Sequence, residues 1–327
     1  MVGEDSPVIT VLCGDRLPDG MERIEQSATV RYTDDEGLAE ALPGTDVLFV
    51  YDFLSEALPG AWHAADRLSW VHIAGAGVDP VIFPGIQDSD VVLTNSRGVF
   101  DGPIAEYVLG VVIAFAKDFA RSLRLQDETR WLHRETERIE GRRAMVMGTG
   151  PIGRATARIL RAAGMQVSGF GRTARDNDPD FGIVYPSSTL TTHLPDADFV
   201  VAIAPLTEQT KGAFDAQAFA AMKTSARFIN VGRGELVVTS DLIAALRANE
   251  IAGAALDVFD TEPLPADNPL WQMDNVMITP HMSGDVVGWR NTLVERFIEN
   301  YERWRAGRPL QNIVDKRLGY VPSSSAA

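Results

Sequence analysis

Short apolar runs alternate with longer amphipathic stretches along this chain. Runs rich in Val, Ile and aromatic residues at 8–13, 47–51, 70–73 and 91–94 have the length and composition of buried strands. The stretch from about 103 to 130 is too long for a strand and predicts one helix, apolar nearly all round in its first half and so buried between layers or subunits. A second series of strands follows at 143–148, 167–170, 199–204, 228–231, 254–259 and 276–279. Helices over 152–163 and 240–248 fall between them, and Asp215 stands as an N-cap before the AQAFAAM stretch. A last helix is expected at about 286–305, while the first residues and the closing SSSAA are expected to lack structure. Such alternation marks an α/β protein with parallel sheets, and two series of strands imply two α/β domains. The polar stretch 95–102 is where the chain should leave the first for the second.

Composition narrows the classes. A length of 327 residues suits two domains better than one. Forty-five acidic against thirty basic residues leave a formal charge of −15, which argues against a nucleic-acid partner but not against small phosphate-bearing molecules. Apolar residues at 45% and charged residues at 23% exclude a disordered chain. Cys13 is the one cysteine, so no intrachain disulfide and no cysteine-based metal site is expected, and a reducing cytoplasm is favoured. The opening MVGEDSPVIT has no signal-peptide pattern, and no apolar run approaches the ~20 residues that span a bilayer.

Two glycine turns carry candidate chemistry. Gly148-Thr149-Gly150-Pro151-Ile152-Gly153 is a G-x-G-x-x-G that directly follows a predicted strand and opens a predicted helix. In that context the first glycine allows the turn, the second lets a pyrophosphate approach the backbone, and the third lets helix and strand pack closely. Pro151 suits the first helical turn, where a missing N–H costs nothing. Gly75-Ala76-Gly77 also follows a strand but lacks the third glycine; it reads equally as a plain turn or as a nest of backbone N–H groups for a small anion. At the end of the strand after the G-x-G-x-x-G, NAD-binding domains carry an acid that accepts from the ribose 2′-OH. Here the chain offers Gly171, Arg172, Thr173 and, after Ala174, Arg175. Unless these are solvated surface arginines, they favour the 2′-phosphate of NADP over NAD.

Arg233, Glu262 and His281 each stand just beyond the end of successive predicted strands, where open α/β sheets place ligands. The stretches INVGRGELV, GAALDVFDTEPLPADNPLW and VMITPHMSG resemble the D-isomer-specific 2-hydroxyacid dehydrogenases. VHIAGAGVD, TNSRGVFDGPIAEYVLG, MGTGPIGRATARIL and APLTEQTKG match the same family in the same order. The resemblance implies two doubly wound parallel-sheet domains, with a Rossmann cofactor domain (99–284) inserted into a flavodoxin-like substrate domain (1–98 with 285–327), and a homodimer with the helix after Pro103 at its interface.

Carried over by motif, the resemblance implies that Arg233 binds the substrate carboxylate and polarises the keto oxygen. His281 then delivers the proton, and Glu262 pairs with it. Gly75, Ala76 and Gly77 supply backbone donors to the carboxylate, Asp257 holds the nicotinamide carboxamide, and Val231 and Pro205 contact the cofactor. The arginine-bearing turn departs from NAD-using members and is similar to the NADPH-dependent glyoxylate/hydroxypyruvate reductase branch, so a 2-keto acid is the expected small-molecule partner. Tyr51, Phe53, Leu54, Trp289 and Arg290 read either as a substrate wall, suited to bulkier keto acids such as phenylpyruvate, or as core and surface residues. The alternative is a dinucleotide-sensing, corepressor-like protein of the same fold.

Overall fold

In the computed structural model, which describes residues 6–322, the chain folds as two units. Residues up to Val99 join those from Val286 onward, and Phe100–Asp285 forms the second. The terminal segments expected to lack structure lie outside the described residues. The first unit contains β1 (Val8–Leu12), β2 (Thr29–Thr33), β3 (Val47–Val50), β4 (Trp70–Ile73) and β5 (Val92–Asn95), all parallel, in the order β2-β1-β3-β4-β5. That is the flavodoxin-like order. β3 and β4 are buried at every residue, as apolar strands covered on both faces must be. β2 escapes the sequence pattern because it is an edge strand, TVRYT, with no fully buried residue. The helix Trp289–Arg305 belongs to this unit because its apolar face does: Phe297 stacks on Phe49 at a centroid distance of 4.1 Å and on Trp70 at 5.3 Å. Burying such a ring contributes about 1.5–3 kcal/mol. The helix starts three residues later than expected because Gly288 is left-handed.

The second unit contains β6 (Arg143–Met147), β7 (Gln166–Gly171), β8 (Arg175–Asp178), β9 (Gly182–Pro186), β10 (Phe199–Ala202), β11 (Arg227–Asn230), β12 (Gly253–Leu256) and β13 (Val276–Ile278). Their order is β13-β12-β11-β10-β6-β7-β9-β8, a Rossmann sheet whose strand order reverses between β6 and β10. Every neighbouring pair is parallel except β8 and β9. Asp215 caps the helix Ala216–Ala221, accepting the Ala218 amide at 3.0 Å. The long predicted helix is two, Asp101–Ala116 and Phe119–Asp127, broken where Asp118 turns left-handed. Arg134 holds that break, with Nε on the Asp118 carboxylate at 2.9 Å and Nη2 on its carbonyl at 2.7 Å. Among the described residues no helix is long and apolar enough to cross a membrane.

β8 has no apolar run to announce it, because charge holds it. The buried carboxylate of Asp178 accepts both Nη groups of Arg154 at 3.0 Å and Nε of Arg175 at 3.1 Å, along with the amides of Asp180 and Phe181. Burial pushes this carboxyl up, but Arg154, the two amides and Arg175 outweigh it and hold it well below the usual range. A carboxyl depressed on folding contributes stability that is complete above its unfolded pKa and is lost as pH falls through the folded one. Asp178→Ala should therefore cost about 3 kcal/mol in denaturant unfolding at neutral pH, with the gap to the parent narrowing in strong acid. A variant as stable as the parent at neutral pH would contradict this.

Candidate active site

The turn after β6 is shaped by two close approaches. Gly148 has φ +119°, and a Cβ there would lie 2.8 Å from the Ala204 amide. A Cβ on Gly153 would lie 1.9 Å from the Gly148 carbonyl oxygen, so only glycine lets the helix Pro151–Ala162 start this close to the strand. Over Gly150, by contrast, a Cβ would meet nothing within 4 Å. The backbone there faces open space at a helix N-terminus with Pro151 in its first turn. Among the described residues the amides of Gly150 and Ile152 have no acceptor. Free N–H groups, the partial positive charge of the helix end and room above a glycine fit a dinucleotide pyrophosphate. Arg172 and Thr173 are exposed just beyond β7. Arg175 is turned instead to Asp178, and its Nη2 is enclosed with no partner among the described residues. Val231 is buried after β11, and Pro205 is exposed after β10.

The carboxyl ends of β12 and β13 are joined by one buried carboxylate. Asp257 is fully buried; its Oδ1 accepts the Thr279 hydroxyl at 2.6 Å and the Met282 amide at 2.9 Å, and its Oδ2 accepts the Ser283 amide at 2.9 Å. Its carbonyl takes the His281 amide at 2.7 Å. These bonds fold residues 279–283 into a turn in which His281 has φ +50°, a conformation that costs a non-glycine residue about 1–3 kcal/mol. The Asp257 side chain, expected to meet the nicotinamide carboxamide, is largely committed to this turn.

His281 Nδ1 hydrogen-bonds Glu262 Oε2 at 2.8 Å, and Glu262 Oε1 accepts the Phe259 amide at 2.8 Å. Burial pushes the Glu262 carboxyl up, but the bonds from His281 and Phe259 and the charges of His281 and Arg233 hold it below its ordinary range. The carboxylate therefore survives mild acid and is lost only as pH falls through that depressed value. Arg233 follows β11 and donates from Nη1 to the Gly232 carbonyl at 2.8 Å. Gly234 beside it is indispensable, since a Cβ would lie 1.8 Å from the Phe259 carbonyl carbon. That approach brings the Arg233 loop against the segment leading to Glu262.

In the first unit, the turn after β4 leaves the amides of Gly75, Ala76 and Gly77 without acceptors among the described residues. Ala76 and Gly77 are half-buried. Phe53 packs on this turn, 3.4 Å from where a Gly75 Cβ would stand; its ring meets Trp289 edge-on at 5.9 Å, and the Arg290 guanidinium lies 4.3 Å over Trp289. Leu54 is exposed, whereas Tyr51 is 3% exposed and belongs to the core.

Three supporting residues escape the sequence reading. Buried Asn230 donates to the Arg233 carbonyl at 2.9 Å and accepts the Gly232 amide at 3.1 Å. Tyr107 bonds the Thr279 hydroxyl at 2.7 Å, extending the chain to Asp257; burial above all pushes its phenol up to about 12. Polar residues closing otherwise apolar strands, Asn230 and Thr279, are the signal that could have found two of them. Tyr107 is masked inside an apolar helix. No cluster of three or more His, Cys, Asp or Glu among the described residues is placed to hold a metal.

Residues 109–283 match the model of the "D-isomer specific 2-hydroxyacid dehydrogenase, NAD binding domain". The chain is 28% identical over 260 residues to glyoxylate/hydroxypyruvate reductase A of Serratia proteamaculans, covering 78% of this chain and 82% of that one. A D-isomer specific 2-hydroxyacid dehydrogenase from Xanthobacter autotrophicus, solved with NADPH, superposes with TM-score 0.81 at 31% identity over 96% of this chain and 100% of that one. The NADPH-dependent glyoxylate/hydroxypyruvate reductase of Sinorhizobium meliloti, solved with NADP and sulfate, gives 0.81 at 29% identity over 97% and 100%.

The glycine contact behind Arg233 has a direct consequence. Gly234→Ala should destabilise the protein by about 3 kcal/mol, because backbone rather than a flexible side chain blocks the added methyl. Thermal unfolding checks this, and an unchanged midpoint would contradict the close approach.

Proposed function

The chain belongs to the D-isomer specific 2-hydroxyacid dehydrogenase family, and from that premise we propose that it reduces a 2-keto acid to the D-2-hydroxyacid with NADPH. The observation that carries this reading is the 2.8 Å bond between His281 Nδ1 and Glu262. With Nδ1 engaged by the carboxylate, Nε2 is the nitrogen left to serve as acid. When bound, the reduced nicotinamide supplies the hydride that forms the new C–H bond at the carbonyl carbon. His281 donates the proton that completes the hydroxyl as the carbonyl π bond is lost. Arg233 pairs with the substrate carboxylate and polarises the keto oxygen. The amides of Gly75, Ala76 and Gly77, which have no acceptor among the described residues, are the backbone donors to the carboxylate in this reading.

Preference for NADP(H) is supported by the exposed Arg172 and Thr173 beyond β7, where an acid would repel a 2′-phosphate. Structural neighbours bound to NADPH or NADP support it too. Cofactor contacts of Arg175, Pro205, Val231 and Asp257 remain part of the reading; for Arg175 the Asp178 pair must yield or share. The substrates considered are glyoxylate, hydroxypyruvate and larger keto acids such as phenylpyruvate, and Phe53 with Trp289 beside the Gly75 turn supports the larger ones. A homodimer is supported by exposed apolar side chains at Phe119, Leu123, Trp131 and Leu132.

NADPH oxidation against glyoxylate, hydroxypyruvate, pyruvate and phenylpyruvate tests the reading; turnover with at least one is expected, and none with any would end it. His281→Ala should lower kcat roughly 10²–10⁴-fold. Arg172→Ala should raise the KM for NADPH far more than that for NADH, whereas equal effects would remove the arginine from the 2′-phosphate.

A further inference from the structure

We propose that Asn95 is a positioning residue for the substrate carboxylate, its buried side-chain amide fixing the turn after β4 with the backbone N–H groups of that turn outward. The inference deepens the reading above and rests on its assignment of Gly75, Ala76 and Gly77 to the carboxylate. β5 runs parallel to β4 with Asn95 opposite Ile73, which brings the end of β5 beside the glycine turn. The Ser96 amide donates to the Gly75 carbonyl at 2.9 Å, and Asn95 Nδ2 donates to the Ala76 carbonyl at 2.6 Å.

A trans peptide points its N–H opposite to its C=O. Holding the Gly75 carbonyl to one side therefore sends the Ala76 N–H to the other, and holding the Ala76 carbonyl does the same for the Gly77 N–H. Two successive amides pointing one way, neither with an internal acceptor among the described residues, are the geometry of an anion nest. Ser96 does its part through the backbone, which any residue could supply. Asn95 does it through a side chain, so its identity matters.

The donor is itself held. Asn95 is 3% exposed, its Oδ1 accepts the Arg97 amide at 3.3 Å, and its backbone exchanges bonds with Asn312, amide to carbonyl and carbonyl to side chain, at 3.3 Å each. Those contacts fix which end of the Asn95 side chain faces Ala76: the oxygen is taken by an N–H, so the nitrogen meets the carbonyl. Behind it Ser96 Oγ lies 3.3 Å from both the Ile73 carbonyl and His72 Nε2. Burial, with the charge of Arg296, drives His72 down to about 3. The support stays neutral around physiological pH.

Asn95→Asp keeps the size of the side chain but sets an acceptor against the Ala76 carbonyl. The KM for the keto acid and the inhibition constant of oxamate, a 2-keto acid mimic, should rise about 10- to 100-fold. The kcat and the KM for NADPH should change little, the pattern of lost ground-state and transition-state binding alike. An unchanged keto-acid KM overturns the proposal, as does a parallel loss in kcat and NADPH binding, which a merely structural role would produce. Should the variant not fold, amide exchange in the parent decides: excess oxamate should slow exchange at Ala76 and Gly77, and unaltered exchange overturns the proposal. A parent that protects these amides with oxamate yet reduces no 2-keto acid would sink the reductase reading and leave the carboxylate nest standing.

Discussion

Asp257 is a carboxylate wholly removed from water, and the turn after β13 is arranged around satisfying it. An isolated buried charge costs several kcal/mol, so it must collect donors from its surroundings. It collects a hydroxyl and two amides from the segment after β13, and that segment can reach it only by turning sharply between Thr279 and Ser283. His281 lies in the middle of that turn, left-handed and held by the Asp257 carbonyl. The strain at His281 is thus balanced by a neighbour's need for hydrogen bonds. Glu262, five residues beyond Asp257, meets the imidazole the turn presents.

The same economy appears in how an acidic protein handles anions. A charge of −15 is a property of the whole surface, and exposed charges are screened beyond about 8–10 Å. Local groups decide, and many of them here are backbone. The helix start at Pro151 and the turn at Gly75 offer N–H groups, which carry no net charge and need no long side chain to be ordered. In the proposed reading, guanidinium groups at Arg172 and Arg233 supplement them.

Much of this was legible in the sequence, and the exceptions have a common cause. Apolar strands such as β3 and β10 announce themselves because parallel strands are buried on both faces. The glycine turn after β6 is legible because only glycine tolerates its close contacts. β2 and β8 are not, since one lies at a sheet edge and the other is held by the Asp178 ion cluster. Motif matching brings Arg233, Glu262 and His281 to notice, but it assigns Asp257 to a ligand and does not anticipate how many of its hydrogen bonds go to its own chain. Asn95 and Asn230 are missed for a related reason: their partners are carbonyls and amides distant in the sequence or hidden in a turn, which no periodicity reports.

The most direct measurement follows a label through one reaction. Reduction of phenylpyruvate or hydroxypyruvate by NADPH deuterated at nicotinamide C4, on the transferred face, should yield the D-2-hydroxyacid with one deuterium at C2, resolved by chiral chromatography and mass spectrometry. A racemic or L product, or deuterium absent from C2, would contradict hydride transfer to one face of a carbonyl held by Arg233 and protonated by His281.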